Sequence, residues 1–122
     1  MRNGSRARQR GAVTAETAVV LPILTVFTVG LVWLVSLGLA EVRALDAARE
    51  AARVVARGDP PASARSLGAR VAPDGSALTL SRGGGRVVVT VHTPVEGPGG
   101  LFGFLPTYHV RAQAVAATEQ DR

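Results

Sequence analysis

The chain has no cysteine and no lysine, and aromatic residues make up only 4% of its 122 residues. The missing cysteines exclude disulfides and thiolate metal sites. Few aromatics and a short chain exclude a large core, so a catalytic domain is not expected. No nucleophile stands beside a base and no paired carboxylates can be placed in a cleft. Gly83-Gly84-Gly85 lies between two strand-like runs rather than ahead of a helix, so it is no phosphate cradle. His92 and His109 lack a second-ligand spacing and read as surface histidines, not metal ligands. The reading is therefore non-enzymatic, with neither metal nor cofactor. Acidic residues are also missing where they would matter for charge. Arg2, Arg6, Arg8 and Arg10 have no acid among them, and they supply most of the formal charge of +5. The sequence pI of 11.4 is thus a property of the N-terminal end. No arginine cluster elsewhere marks a nucleic-acid surface.

What the chain does have begins at that end. A basic stretch closes on Gly11, Ala12-Val13-Thr14-Ala15 follow, and Glu16 stands at the edge of an uncharged run, TAVVLPILTVFTVGLVWLVSLGLA, from Thr17 to Ala40. As a helix the run would be roughly 36 Å long, enough to cross a bilayer once. A carboxylate at its edge is costly and therefore informative. The arginines before the run place the N-terminus in the cytoplasm and the C-terminal part outside. Pro22 removes a backbone donor and predicts a kink or local opening.

The helical pattern continues through EVRALDAAREAARVVAR, residues 41–57. Arg43, Asp46, Arg49, Glu50, Arg53 and Arg57 form a polar stripe, laced by Asp46–Arg49 and Glu50–Arg53 pairs. Leu45, Ala48, Ala52, Val55 and Ala56 lie opposite. Ser36, Ala40, Ala44, Ala48, Ala52 and Ala56 recur every four residues, a small-residue row along which another helix can approach closely. An alanine-rich composition alone gives the same row.

Gly58 is expected to end this helix in a left-handed turn. Asp59 then reads as an N-cap and Pro60 as the first residue of a short helix reaching Val71, weakened by Gly68. After Pro73-Asp74-Gly75 the period becomes two. Residues 77–81 alternate, 82–86 read as a turn, and Val87, Val89, Val91 and Val95 share one face against Val88, Thr90 and His92. From Thr107 to Ala117, Tyr108, Val110, Ala112, Ala114 and Ala116 oppose His109, Arg111 and Gln113. Three antiparallel strands with one apolar face need a cover, and the apolar side of the long helix is the sizeable one at hand. Between the last two strands, EGPGGLFGFLP carries Leu101, Phe102, Phe104 and Leu105. These either tuck under the sheet or form a contact patch.

The leader ending Arg10-Gly11, with Glu16 fifth from Ala12, resembles a prepilin. Adding Leu21-Pro22, the Ala47-Ala48-Arg49-Glu50-Ala51-Ala52-Arg53 segment and a short β-rich tail with Glu119, the chain resembles the TadE-like minor pilins or pseudopilins of the tight-adherence (Tad/Flp, type IV-like) pilus system. Thr17 stands where major pilins of that system usually carry tyrosine, and a separate head is present, which argues for a minor component. The resemblance implies cleavage between Gly11 and Ala12 by a prepilin peptidase, and an assembly role for Glu16. It also implies other pilin and pseudopilin subunits, the Tad inner-membrane assembly platform and membrane lipid as partners, with no nucleic acid. Methylation of the Ala12 amine stays open.

The expected architecture is α+β and pilin-like. Residues 1–11 are a basic leader, 12–57 a transmembrane helix continuing into an amphipathic one, and 58–122 a short helix plus a three-stranded extracytoplasmic head. The expected function is assembly, priming or anchoring of a surface fibre used in adhesion or secretion, from a single-pass position in the inner membrane. Two alternatives remain. One is a small secreted binding domain behind an ordinary signal peptide, with Gly38-Leu39-Ala40 as its cleavage site, although signal cores hold only about 7–15 apolar residues. The other is a single-pass regulatory subunit of a membrane complex.

Overall fold

A computed structural model describes residues 3–118, apart from the side chains of Asn3 and Leu101. Arg2 of the leader, Glu119 and the side chain of Leu101 therefore lie outside the described residues. The chain is α+β. A single helix α1 (Asn3–Ala56) is followed by helix α2 (Pro61–Val71) and strands β1 (Ala77–Gly83), β2 (Arg86–Val95) and β3 (Tyr108–Ala117). A 3-10 turn, Gly100–Phe102, lies between β2 and β3. The chain divides after Leu34 into two compact units.

The first unit is helical throughout its described length, and every residue from Gly4 to Thr28 is exposed. Pro22 lies inside the helix, which runs through it unbroken. Thr14, Thr17, Thr25 and Thr28 each donate their hydroxyl to the carbonyl four residues back, at 2.8–2.9 Å. This back-bonding satisfies polar groups that would otherwise be costly in an apolar surrounding.

In the second unit the strands form one antiparallel sheet in the order β1-β2-β3. The β1–β2 hairpin is longer than the alternation predicts, with Gly83 paired to Arg86. Gly84 and Gly85, at φ 59 and 72, make the two-residue turn. Positive φ at both central residues is the type I′ requirement, and consecutive glycines meet it without steric cost. The valine register is as predicted: Val87, Val89 and Val91 are fully buried on the inner face, and Val110 and Ala112 join them from β3. Tyr108 shares that face but lies at its end and stays exposed.

Helix α1 ends on a Schellman motif. The Gly58 amide donates to the Val55 carbonyl at 3.0 Å and the Asp59 amide to the Val54 carbonyl at 3.3 Å, with Gly58 at φ 89. The start of α2 differs from expectation. Pro60 is its N-cap residue, without a side-chain hydrogen bond, and Pro61 is the first helical residue. Asp59 instead lies 3.8 Å from Nε of Arg57. Two successive prolines need no amide partners in the first turn, so a capping carboxylate has less to do there.

The core is built from small side chains. Ala44, Ala47, Ala48, Ala51, Ala52, Val54 and Val55 of α1 cluster with Ala64 of α2 and the inner valines of the sheet. Leu45, expected in the floor, is half-buried, and Ala47, Ala51 and Val54 enter although they lie outside the expected apolar side. Gly68 explains the difference. A Cβ there would strike Leu78 and come within 3.4 Å of the Ala51 side chain and 3.5 Å of the Ala47 carbonyl oxygen. Helix α2 therefore comes down on α1 beside the sheet, and α1 is covered over a wider arc than a sheet alone would cover.

Candidate functional site

The residues to which the sequence assigns function lie along α1. Gly11 is exposed, and a Cβ built on it would meet nothing within 4 Å. Ala12 and Glu16 are exposed as well. Glu16 lies one turn and a fraction beyond Gly11, immediately before the uncharged run. That run is exposed along most of its length: Val19, Ile23, Phe27, Val32 and Val35 are each more than three-fifths accessible. Among the described residues one helix is thus long and apolar enough to cross a membrane, with mean hydropathy of 2.5 in its most apolar window. This is compatible with a single-pass membrane protein.

The small-residue row divides. Ser36 is exposed and Ala56 half-buried, whereas Ala40, Ala44, Ala48 and Ala52 are buried. The last three belong to the core cluster with the sheet valines. The row is expected to let another helix approach closely; in this structure its middle is covered by the chain's own head. The close helix approach that small residues permit does occur, but within the chain and one row over, at Ala47 and Ala51 against Gly68. The alanine spacing announces close packing without naming the partner.

The polar stripe is solvated except at Glu50, which is half-buried. Asp46 and Arg49 approach to 3.8 Å with both side chains more than half exposed. Exposed pairs at this spacing contribute only a few tenths of a kcal/mol. Among the described residues no ion pair joins Glu50 to Arg53, although both line a shallow groove with Val71 of α2. His92 and His109 are exposed on the outer face of the sheet, His92 in register with Arg111. Among the described residues no group of three or more His, Asp or Glu side chains could hold a metal ion.

One buried polar contact has no counterpart in the sequence reading. Thr93 is fully buried on the inner face of β2, and its hydroxyl lies 2.7 Å from that of Ser76, which also reaches the Pro73 carbonyl. The pair ties the 73–76 turn to the sheet and leaves neither hydroxyl unsatisfied. The alternation of Val91, Thr93 and Val95 places Thr93 inward. The serine that satisfies it is supplied by the fold.

The family model for TadE-like proteins matches residues 11–53. Apoptosis inhibitor Rv3655c of Mycobacterium tuberculosis (strain ATCC 25618 / H37Rv) is 38% identical over 79 residues, which cover 65% of this chain and 57% of that protein. The chain therefore spans little more than half the length of this curated relative. No solved structure gives a significant match. The matched region begins at Gly11, contains Glu16 and the whole uncharged run, and ends at Arg53 inside the core-forming part of α1. From Gly11 to Arg53 the chain is similar to TadE-like proteins, over a stretch that holds Gly11, Glu16 and the 47–53 sequence.

Proposed function

We propose that the protein is a minor pilin, or pseudopilin, which helps to assemble, prime or anchor a Tad-type surface pilus used in adhesion or secretion, and that it is not an enzyme. The observation that carries this reading is Gly11 followed by Glu16 at the fifth place after it, on an exposed helix that runs directly into the apolar segment. A prepilin peptidase would need an extended chain at the scissile bond. Glycine in a helix is destabilising by roughly 0.5–1 kcal/mol relative to alanine, so the helix opens more readily at Gly11 than at its neighbours. Cleavage there would free the α-amine of Ala12, whose reference pKa of about 7.7–8.0 leaves it mostly cationic near neutral pH. In a bundle of subunits the Glu16 carboxylate of one chain can then pair with the Ala12 amine of the next. In an isolated helix Glu16 has no such partner and is held near the headgroups, so pairing favours entry into the bundle.

On this reading the N-terminus is cytoplasmic, the head is extracytoplasmic, and the partners are the prepilin peptidase, other pilin and pseudopilin subunits, the Tad assembly platform and membrane lipid. The intact mass of protein extracted from membranes tests it. A mature chain starting at Ala12 is expected, and Gly11→Val should block the cut. A chain starting at Glu41 would instead identify a cleaved secretory signal. An uncut chain would leave a single-pass regulatory subunit as the better account.

A further inference from the structure

We infer that the segment from Gly97 to Tyr108 is a membrane-interface anchor, whose exposed aromatic side chains rest in the headgroup layer of the bilayer that α1 crosses. The inference rests on the reading of α1 as a membrane span. Its geometric basis is a groove of about 420 Å³ lined by Ser36, Leu39, Ala40 and Arg43 of α1 and by Pro73 and residues 93–96 at the end of β2. The uncharged run ends at Ala40, and Glu41 and Arg43 are the first charges after it. The end of β2 therefore lies beside the point where α1 would leave the hydrocarbon.

The segment that continues from there is suited to that level. Residues 97–108 contain no charged side chain. Phe104 is 79% exposed and Tyr108, which pairs with Val95, is 55% exposed, while Phe102 and Leu105 are half-buried. Tyrosine, with an apolar ring and a polar hydroxyl, has the amphipathic character found at membrane–water interfaces, and the wholly apolar phenylalanine ring suits the acyl side of the same boundary. Exposed apolar groups on a short uncharged loop gain from an apolar surrounding, and the bilayer boundary is the one that the groove places next to them. The Gly84-Gly85 turn, at the far end of β2, is roughly 30 Å away along the strand. It carries Arg82 and Arg86 beside it, as a water-facing end would.

Because the chain has no cysteine, single-cysteine variants of the full protein can each carry one nitroxide. Phe104→Cys reports on the loop, Arg82→Cys on the distal turn and Val26→Cys on the apolar run. Each labelled protein is placed in vesicles of phosphatidylcholine and phosphatidylglycerol, and collisions with oxygen and with a neutral aqueous nickel chelate are measured. The expected result is several-fold lower nickel collision and higher oxygen collision at position 104 than at position 82, with position 26 deeper still. If position 26 is shielded while position 104 behaves like position 82, the anchor is overturned and the span stands. If position 26 is itself aqueous, the span reading fails and the anchor with it. Shielding at position 104 from both reagents, lost when the protein is diluted in lipid, would identify a second copy as the occupant and overturn the lipid assignment.

Discussion

Gly68 shows how one residue can reverse its apparent role. In the sequence it is a weak point in a short helix, since glycine lies about 0.8–1.0 kcal/mol below alanine in helix propensity. In the fold it is the position where α2 meets Ala47, Ala51 and Leu78. Gly68→Ala should be close to neutral, because the helix gain offsets a displacement of the flexible end of Leu78. Gly68→Val adds bulk toward the Ala47 carbonyl and the Ala51 methyl, which cannot swing away, and should destabilise the head by about 1–3 kcal/mol. Thermal unfolding of the two variants checks the order. Equal losses would show that the approach is looser than its distances imply.

Glu16 belongs to the same scale, and its proposed role is between chains. Glu16→Ala removes a costly charge from the membrane edge, so insertion and cleavage after Gly11 should persist. Association with pilus components should fall. Glu16→Gln should be nearly as poor, since it keeps shape and hydrogen bonding but not the charge that the Ala12 amine requires. Crosslinking from membranes holding equal amounts of processed protein reads this directly. Parent-like association of both variants would make Glu16 only an interfacial acid.

At the scale of the element, α1 changes character along its length. Its apolar segment stays exposed and its later turns are covered on two sides. The polar stripe from Arg43 to Arg57 was legible from a helical wheel because charged side chains have one low-energy destination, water. The extent of the buried arc was not, because alanine is compatible with either side and its placement depends on what arrives. Val55, at 2% exposure, lies within this arc. Val55→Asp should bury an unpaired carboxylate and destabilise the head by more than about 2 kcal/mol. Limited proteolysis of the full chain in detergent should cut the variant's head well before the parent's, and equal survival would contradict this packing.

On the scale of the whole molecule, the distribution of side-chain size is informative. The largest fully buried side chains are Val54, Val87, Val89, Val91 and Thr93, and no described aromatic residue is buried. A core of alanine and valine releases little apolar area per residue, so the head's stability depends on close fit more than on bulk. The aromatic side chains are left for surfaces. If α1 crosses the bilayer with the basic end inside, protease added outside intact spheroplasts should remove the head and leave the N-terminal segment protected. Protection of the head would reverse the topology.

Local chemistry determined much of this protein from sequence alone. The single apolar run, the Gly58 stop, the helix-to-strand change after Gly75, the valine face of β2 and the Gly11–Glu16 spacing each follow from residues acting within a few positions of one another. Backbone sterics and hydrophobic period operate at that range. Tertiary structure decided which neighbour occupies each apolar surface. Ala44, Ala48 and Ala52 could have received another subunit's helix and instead meet the chain's own head, Gly68 became a contact point, and Ser76 came to satisfy Thr93. Alanine and glycine permit close approach without specifying a partner, and a buried hydroxyl requires a mate without naming it. Those choices depend on where distant segments arrive, which no local pattern encodes.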